Sequence, residues 1–210
     1  DSRWAAKLAA LTIIYSAPRS VHREALFQSF CMDGGEQLEN YALWSALVED
    51  TGSVTLPDEF ASPLAPAVAQ FAAAHQEEID FHKWLQWIAL DQLSDCNHVA
   101  TQLGMEIGLM ADLAVGIHPE GSEVWADRDA FAPGMYVGAP PDMYSQQGQS
   151  WSQPPYSPRQ LAVRGYEPLR TVIATTLKLA GALRIDHILG LFRLWWLPKD
   201  GSPADGTYVY

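Results

Sequence analysis

The chain has 210 residues, 48% of them hydrophobic and 18% charged, which suits one or two globular domains with a sizeable core and excludes a disordered chain. A formal net charge of -12 excludes the basic surface that a nucleic-acid or anionic-membrane partner requires. No run approaches the roughly 18 apolar residues of a transmembrane helix.

The start, Asp1-Ser2-Arg3-Trp4, has neither the basic residues nor the apolar run of a secretory leader, so a cytoplasmic location is expected. Cys31 and Cys96 form no CxxC pair and read as two reduced thiols. Residues 3 to 15 carry apolar positions at helical spacing, and Ala17-Pro18 ends that element. Helical patterns follow over 21 to 33 and 36 to 50, with Leu38, Tyr41, Ala42, Trp44, Leu47 and Val48 as a core stripe. Prolines at 57, 63 and 66 mark a break. From about 66 to 103 helix resumes, with Phe81, Trp84, Leu85, Ile88 and Leu93 on one face and Gly104 as a stop.

After Gly104 the character changes. The nearly continuous apolar run 104 to 117, carrying Asp112, has the look of a strand buried on both faces. Residues 118 to 158 form a long Gly/Pro/aromatic excursion of the kind that is functional or a small subdomain. Within it Glu123 reads as solvated, beside a core Trp125. Residues 159 to 180 are helical with a break near Pro168, and 182 to 188 form a second short buried strand carrying Asp186. Residues 189 to 198 lead out of it, 201 to 206 form a turn, and Thr207 to Tyr210 are strand-like. This alternation predicts an α/β fold with parallel strands, which bind ligands at their carboxyl ends, where Asp112 and Asp186 fall.

Three stretches could carry chemistry. In a strand, Arg184 and Asp186 share a face, and a guanidinium beside a carboxylate keeps it ionised, as a nucleophile requires. A buried structural ion pair accounts for the same spacing. A metal site through Asp186 and His187 lacks the further ligands of an HxH or HExxH pattern, and no cofactor is expected. The second stretch, 137 to 156, bars regular structure and presents Asp142, Tyr144, Gln149, Trp151 and Tyr156; a variable surface loop is the plain alternative. Aromatic faces interleaved with amides and carboxylates suit the flat, hydroxyl-rich ring of a sugar, and eight Trp in the chain fit that use. The third stretch, 111 to 127, adds Asp112.

Together Asp-Leu-Ala-Val-Gly at 112 to 116, Gly-Ala-Pro-Pro-Asp at 138 to 142, Gly-Gln-Ser-Trp at 148 to 151 and Arg-Ile-Asp-His at 184 to 187 resemble the 4-alpha-glucanotransferases, the amylomaltase or disproportionating-enzyme family. That family is related to the retaining enzymes of the alpha-amylase superfamily. The resemblance covers essentially the whole chain and implies part of a (β/α)8 TIM barrel around its third and fourth strands. Residues 1 to 70 would be a helical insertion subdomain. Residues 71 to 210 would belong to the catalytic barrel, with an excursion at about 116 to 158 and a substrate-covering loop at 138 to 145. It further implies Asp186 as nucleophile, Arg184 as the group that keeps it ionised, and Asp112, His187, Asp142, Tyr144, Gln149 and Trp151 as substrate-binding residues. Ser152 stands where the family usually has Gly after that Trp.

The implied reaction is retaining transfer of alpha-1,4-glucan segments to the 4-hydroxyl of an acceptor through a covalent glucosyl-aspartate, in starch, glycogen or maltodextrin metabolism. A hydrolase of the same superfamily, or a glucan-binding or structural piece without activity, are the alternatives. Retention needs a second carboxyl about 5–5.5 Å from the nucleophile, a Glu after the family's fifth barrel strand, followed by a further Asp. Neither has a counterpart here, and the few strands cannot close a barrel of about 250 residues. The chain is therefore expected to be an internal fragment, inactive alone, whose open strand edges invite self-association.

Overall fold

In the computed structural model, which describes residues 2–114 and 116–210, helix fills the first half of the chain and short strands enter in the second. Asp1 and Val115, the latter inside the Asp-Leu-Ala-Val-Gly stretch, lie outside the described residues. By contacts the chain divides into Asp1–Gln92 and Leu93–Tyr210.

Helix α1 spans Ser2–Ser16 and ends ahead of Pro18. Helix α2 spans Val21–Thr51; the Ser20 side chain caps it by accepting a hydrogen bond from the Arg23 amide. The two helical stretches read from sequence meet in α2 at a kink, where Gly35 takes φ 49°, ψ -143°, a conformation closed to residues with a Cβ. Helix α3, Pro66–Ala74, starts on a proline at a position that needs no amide donor, and α4 runs Gln76–Gln102. The expected core stripe is present in altered form. Leu38, Ala42 and Leu47 are buried along with Leu43 and Ala46, whereas Tyr41, Trp44 and Val48 are half-buried.

On α4, Trp84 and Trp87 are buried against Phe27, with Leu11, Tyr15, Phe81, Leu85 and Ile88 packed around them; Leu93 is exposed, contrary to the stripe expected. This packing holds the first part of α4 in the helical unit. Lys83 is buried there and pairs with Glu39 and, at 3.1 Å, Asp80. Burial pulls the Lys83 ammonium down, but its hydrogen bonds to the two carboxylates outweigh that and hold it above its ordinary value.

In the second unit, β1 (Met110–Leu113) and β4 (Ala182–Ile185) form a two-stranded parallel sheet. Helix α7, Glu167–Leu177, lies between them in sequence and packs on both strands. Parallel order holds, but burial on both faces does not: along both strands the residues are half-buried or exposed. Among the described residues no further strand flanks this pair, so its edges and one face stay open.

The excursion carries a short helix and two strands of a second sheet. Helix α5 (Ser122–Ala126) buries Trp125 while Glu123 faces solvent, as expected. Strands β2 (Met135–Ala139) and β3 (Gln149–Gln153) pair antiparallel. Helix α6 (Pro158–Val163) follows, and Arg164 just beyond it clamps Asp127 through both guanidinium nitrogens. Residues 194–198, read as a lead-out, form β5 (Leu194–Pro198), which joins β2 on its other edge and carries β6 (Thr207–Val209) outside it. The sheet order is β3-β2-β5-β6. Leu-Trp-Trp-Leu has no period-two alternation, and its partner β2 is remote in sequence, so pattern alone could not reveal this strand.

Candidate active site at the ends of a parallel strand pair

The register of β1 against β4 sets Asp112 opposite Arg184. Their side chains meet: Arg184 Nε lies 2.7 Å from Asp112 Oδ1, and Arg184 Nη2 donates to Asp186 Oδ2 at 3.3 Å. One guanidinium therefore bridges Asp112 on β1 and Asp186 just beyond the end of β4. A fork of five donors suits that role better than an ammonium would. All three side chains are half exposed or more, at 62% for Asp112 and 54% each for Arg184 and Asp186. The buried ion pair considered from sequence is thus replaced by an open cluster. At such exposure the pairs contribute about 0–1 kcal/mol of stability within this chain.

His187 follows directly, in left-handed backbone geometry with φ 50°, ψ 51°. That conformation turns the chain out of β4 into a 3-10 turn over Ile188–Leu191. The His187 ring meets Trp151, with centroids 4.9 Å apart and planes at 47°. Trp151 reaches there from a bulge: Val137 faces Gln153 while Gly138 faces Ser150, leaving residues 151 and 152 extra on β3. Gly138 is required beside it, because a Cβ there would lie 1.9 Å from the Gln149 carbonyl oxygen. Trp151 Nε1 donates to Gln149 Oε1 at 3.0 Å, fixing the far end of the indole.

Past the end of β2, residues 142 to 148 close as a turn. Asp142 Oδ1 accepts from the amides of Tyr144 at 2.8 Å and Ser145 at 2.6 Å, and Ser145 Oγ donates to the Gly148 carbonyl at 3.0 Å. Met143 and Tyr144 project at the tip, 81% and 91% exposed. Among the described residues, no hydrogen bond or ion pair joins Asp142 or Tyr144 to Arg184, Asp186 or Trp151. The eight residues singled out from sequence therefore fall into a charge bridge (Asp112, Arg184, Asp186), an aromatic wall (His187, Trp151, Gln149) and a separate turn (Asp142, Tyr144). Sequence reasoning missed that one Asp142 oxygen serves its own backbone. The Pro-Pro-Asp run before two amides was the available signal. The described residues contain no group of three or more His, Cys, Asp or Glu arranged to hold a metal ion, and no helix long and apolar enough to cross a membrane.

Helices together with a parallel strand pair and a second, antiparallel sheet make this a mixed α/β protein. The family model described as 4-alpha-glucanotransferase matches residues 1–210, and the chain belongs to that family. It is 47% identical over 211 residues to a 4-alpha-glucanotransferase of Mycobacterium tuberculosis, covering all of this chain and 29% of that protein. It is 43% identical over 136 residues to one from Haemophilus influenzae, covering 65% of this chain and 20% of the relative. The crystal structure of amylomaltase from Corynebacterium glutamicum superposes with a TM-score of 0.87 at 43% identity, over all of this chain and 28% of that one. An amylomaltase from Streptococcus agalactiae in complex with acarbose shares the fold, with a TM-score of 0.80 at 21% identity over 90% of this chain and 40% of that one. The chain thus spans under a third of the length of the curated relatives it matches.

Proposed function

We propose that this chain is the nucleophile-bearing part of a 4-alpha-glucanotransferase whose remaining catalytic groups lie outside these 210 residues. The observation that carries the proposal is the Arg184 bridge between Asp112 and Asp186, open to solvent at adjacent parallel strand ends. Asp186 attacks the anomeric carbon of an alpha-1,4-glucan, and the glycosidic C–O bond breaks as the leaving oxygen takes a proton from a second carboxyl elsewhere in the enzyme. The glucosyl-aspartate ester then yields to the 4-hydroxyl of an acceptor glucan or glucose, whose proton returns to that carboxylate. Arg184 orients the nucleophile through its guanidinium, and Asp112, the other end of its fork, takes sugar hydroxyls.

His187, Trp151 and Gln149 offer a partly apolar wall for a pyranose face, and acarbose, the ligand of the Streptococcus agalactiae amylomaltase, is a fitting probe of it. The turn around Asp142 and Tyr144 supplies an exposed tip that covers the bound glucan and disfavours water over the acceptor. The reaction needs no metal or organic cofactor. In this reading β1 and β4 are the third and fourth strands of a TIM barrel, and their open edges are completed by the rest of the enzyme. The isolated chain would lack transfer activity and self-associate through those edges and through Ile188, Leu189 and Phe192, all exposed. Cytoplasmic maltodextrin metabolism is the setting that two unpaired thiols suit.

The test is Asp186→Asn in the full-length enzyme, assayed with maltotriose for glucose and longer oligosaccharides. Transfer should fall by about 10³-fold or more with binding retained. Undiminished transfer would remove Asp186 from the role, and products shorter than the substrate alone would identify a hydrolase.

A further inference from the structure

We propose that Ser152 is a positioning residue whose left-handed backbone, rather than its hydroxyl, sets Trp151 against His187. The proposal rests on the glucan-binding reading for its consequence, though not for its geometry. Among the described residues three that are not glycine have positive φ: Ser152 at 55°, Tyr166 at 59° and His187 at 50°. Two of the three lie at the Trp151–His187 ring pair: Ser152 directly follows the indole and His187 is the other ring. Backbone of this kind is disfavoured for any residue with a Cβ and persists where the surroundings enforce it, commonly at functional sites.

The bulge explains what enforces it at Ser152. Strand β3 carries two residues more than β2 between the pairs Val137–Gln153 and Gly138–Ser150. To return to register after Trp151, the chain must reverse its local twist within one residue, and a left-handed residue does that. Ser152 is exposed, and among the described residues its hydroxyl makes no hydrogen bond, so the side chain itself contributes nothing visible to the geometry. The indole is held on two sides, by Gln149 Oε1 and by the His187 ring. If Ser152 returned to extended backbone, residues 151 and 152 would have to be absorbed elsewhere, and the indole would leave His187. What position 152 requires is tolerance of positive φ: Gly has it fully, Asn in good part, and β-branched residues hardly at all.

The experiment replaces Ser152 by Gly, Asn and Val in the full-length enzyme carrying Asp186→Asn, with maltotriose affinity by calorimetry and the ring-current shift of the His187 imidazole protons by selective labelling as readouts. KM and kcat are measured in the same series with Asp186 intact. Val should weaken maltotriose about tenfold and abolish the ring-current shift, raising KM far more than it lowers kcat; Gly and Asn should stay within about twofold of Ser on every readout. In a Trp151→Ala background the Val substitution should add nothing further, since its effect acts through that ring. Should Val prevent folding, Ser152→Thr carries the same test in milder form. Loss of binding with Gly and Asn as large as with Val would assign the role to the hydroxyl and overturn the proposal. A Val effect undiminished without Trp151, or a folded Val variant with an intact ring-current shift, would also overturn it. A parent that binds no maltotriose while the substitutions move the His187 signal as expected would refute the proposed function and leave the positioning role supported.

Discussion

Most of the buried large apolar side chains among the described residues belong to Asp1–Gln92, Leu47 and Ile79 completely buried and Trp84 and Trp87 nearly so. In Leu93–Tyr210 the helices and strands are mostly short, and all three described non-glycine residues with positive φ occur. The first region obtains its order from a packed core; the second obtains its order from ladders, turns and charge bridges that leave side chains accessible. That difference is what separates a scaffold from a site. Close packing excludes the ligand, whereas strand ends and bulges hold side chains in place and still leave them open.

Truncation in the packed region sharpens this contrast most. Leu47→Ala should cost about 3 kcal/mol, because the methyl groups removed leave a cavity that the surrounding helices cannot fully close. Urea unfolding measures it, and maltotriose affinity of the folded protein should not change. A loss of affinity in parallel with stability would show that the two regions are not separable in this way. The reciprocal change comes next. Arg184→Met should leave the unfolding midpoint nearly where it was, since its ion pairs are exposed, yet lower transfer in the full-length enzyme by about 100-fold by removing the charge that faces both carboxylates. A large stability loss with little change in transfer would make the bridge a structural one after all.

The smallest effect is a pH dependence confined to the helical region. Burial holds the His82 imidazole below its ordinary value of 6.5, although Glu49, 3.0 Å away, pulls in the other direction. The unfolded chain then takes up a proton before the folded one does. The stabilisation is therefore fully present above pH 6.5 and declines as pH falls from there toward the lowered folded-state value. Thermal unfolding between about pH 5 and 8 should show that decline in the parent and a flatter profile in His82→Gln. An identical slope in the variant would assign the titration to another group.

Much of the helical half was legible because helix formation and burial are local and periodic: the kink at Gly35 was visible as a gap between two patterned stretches, and the stop before Pro18 as a proline. Legibility failed where the pattern depends on a partner. Leu93 fits the α4 stripe by spacing, but the helix outruns the surface it packs on, so the residue is exposed. The runs around Asp112 and Asp186 read as buried because apolar residues usually are, and among the described residues the two strands have helix α7 but no further strand against them. For the site, residue types and order singled out Asp112, Arg184, Asp186, His187, Gln149, Trp151, Asp142 and Tyr144, but not that Arg184 bridges two carboxylates or that one Asp142 oxygen accepts from its own turn.

By itself the sequence determined the local elements that a period or a proline can specify, the acidic surface, and the family signature in four short motifs. Only the tertiary structure decided that Arg184 reaches across to Asp112 as well as along its own strand to Asp186, because that depends on a parallel register between segments remote in sequence. It alone decided that Trp151 meets His187, because a bulge of two residues, not side-chain periodicity, aims the indole. Short-range sterics are written in neighbouring residues; which strand ends converge is set by pairing over long separations, where many small terms compete and no single stretch carries the answer.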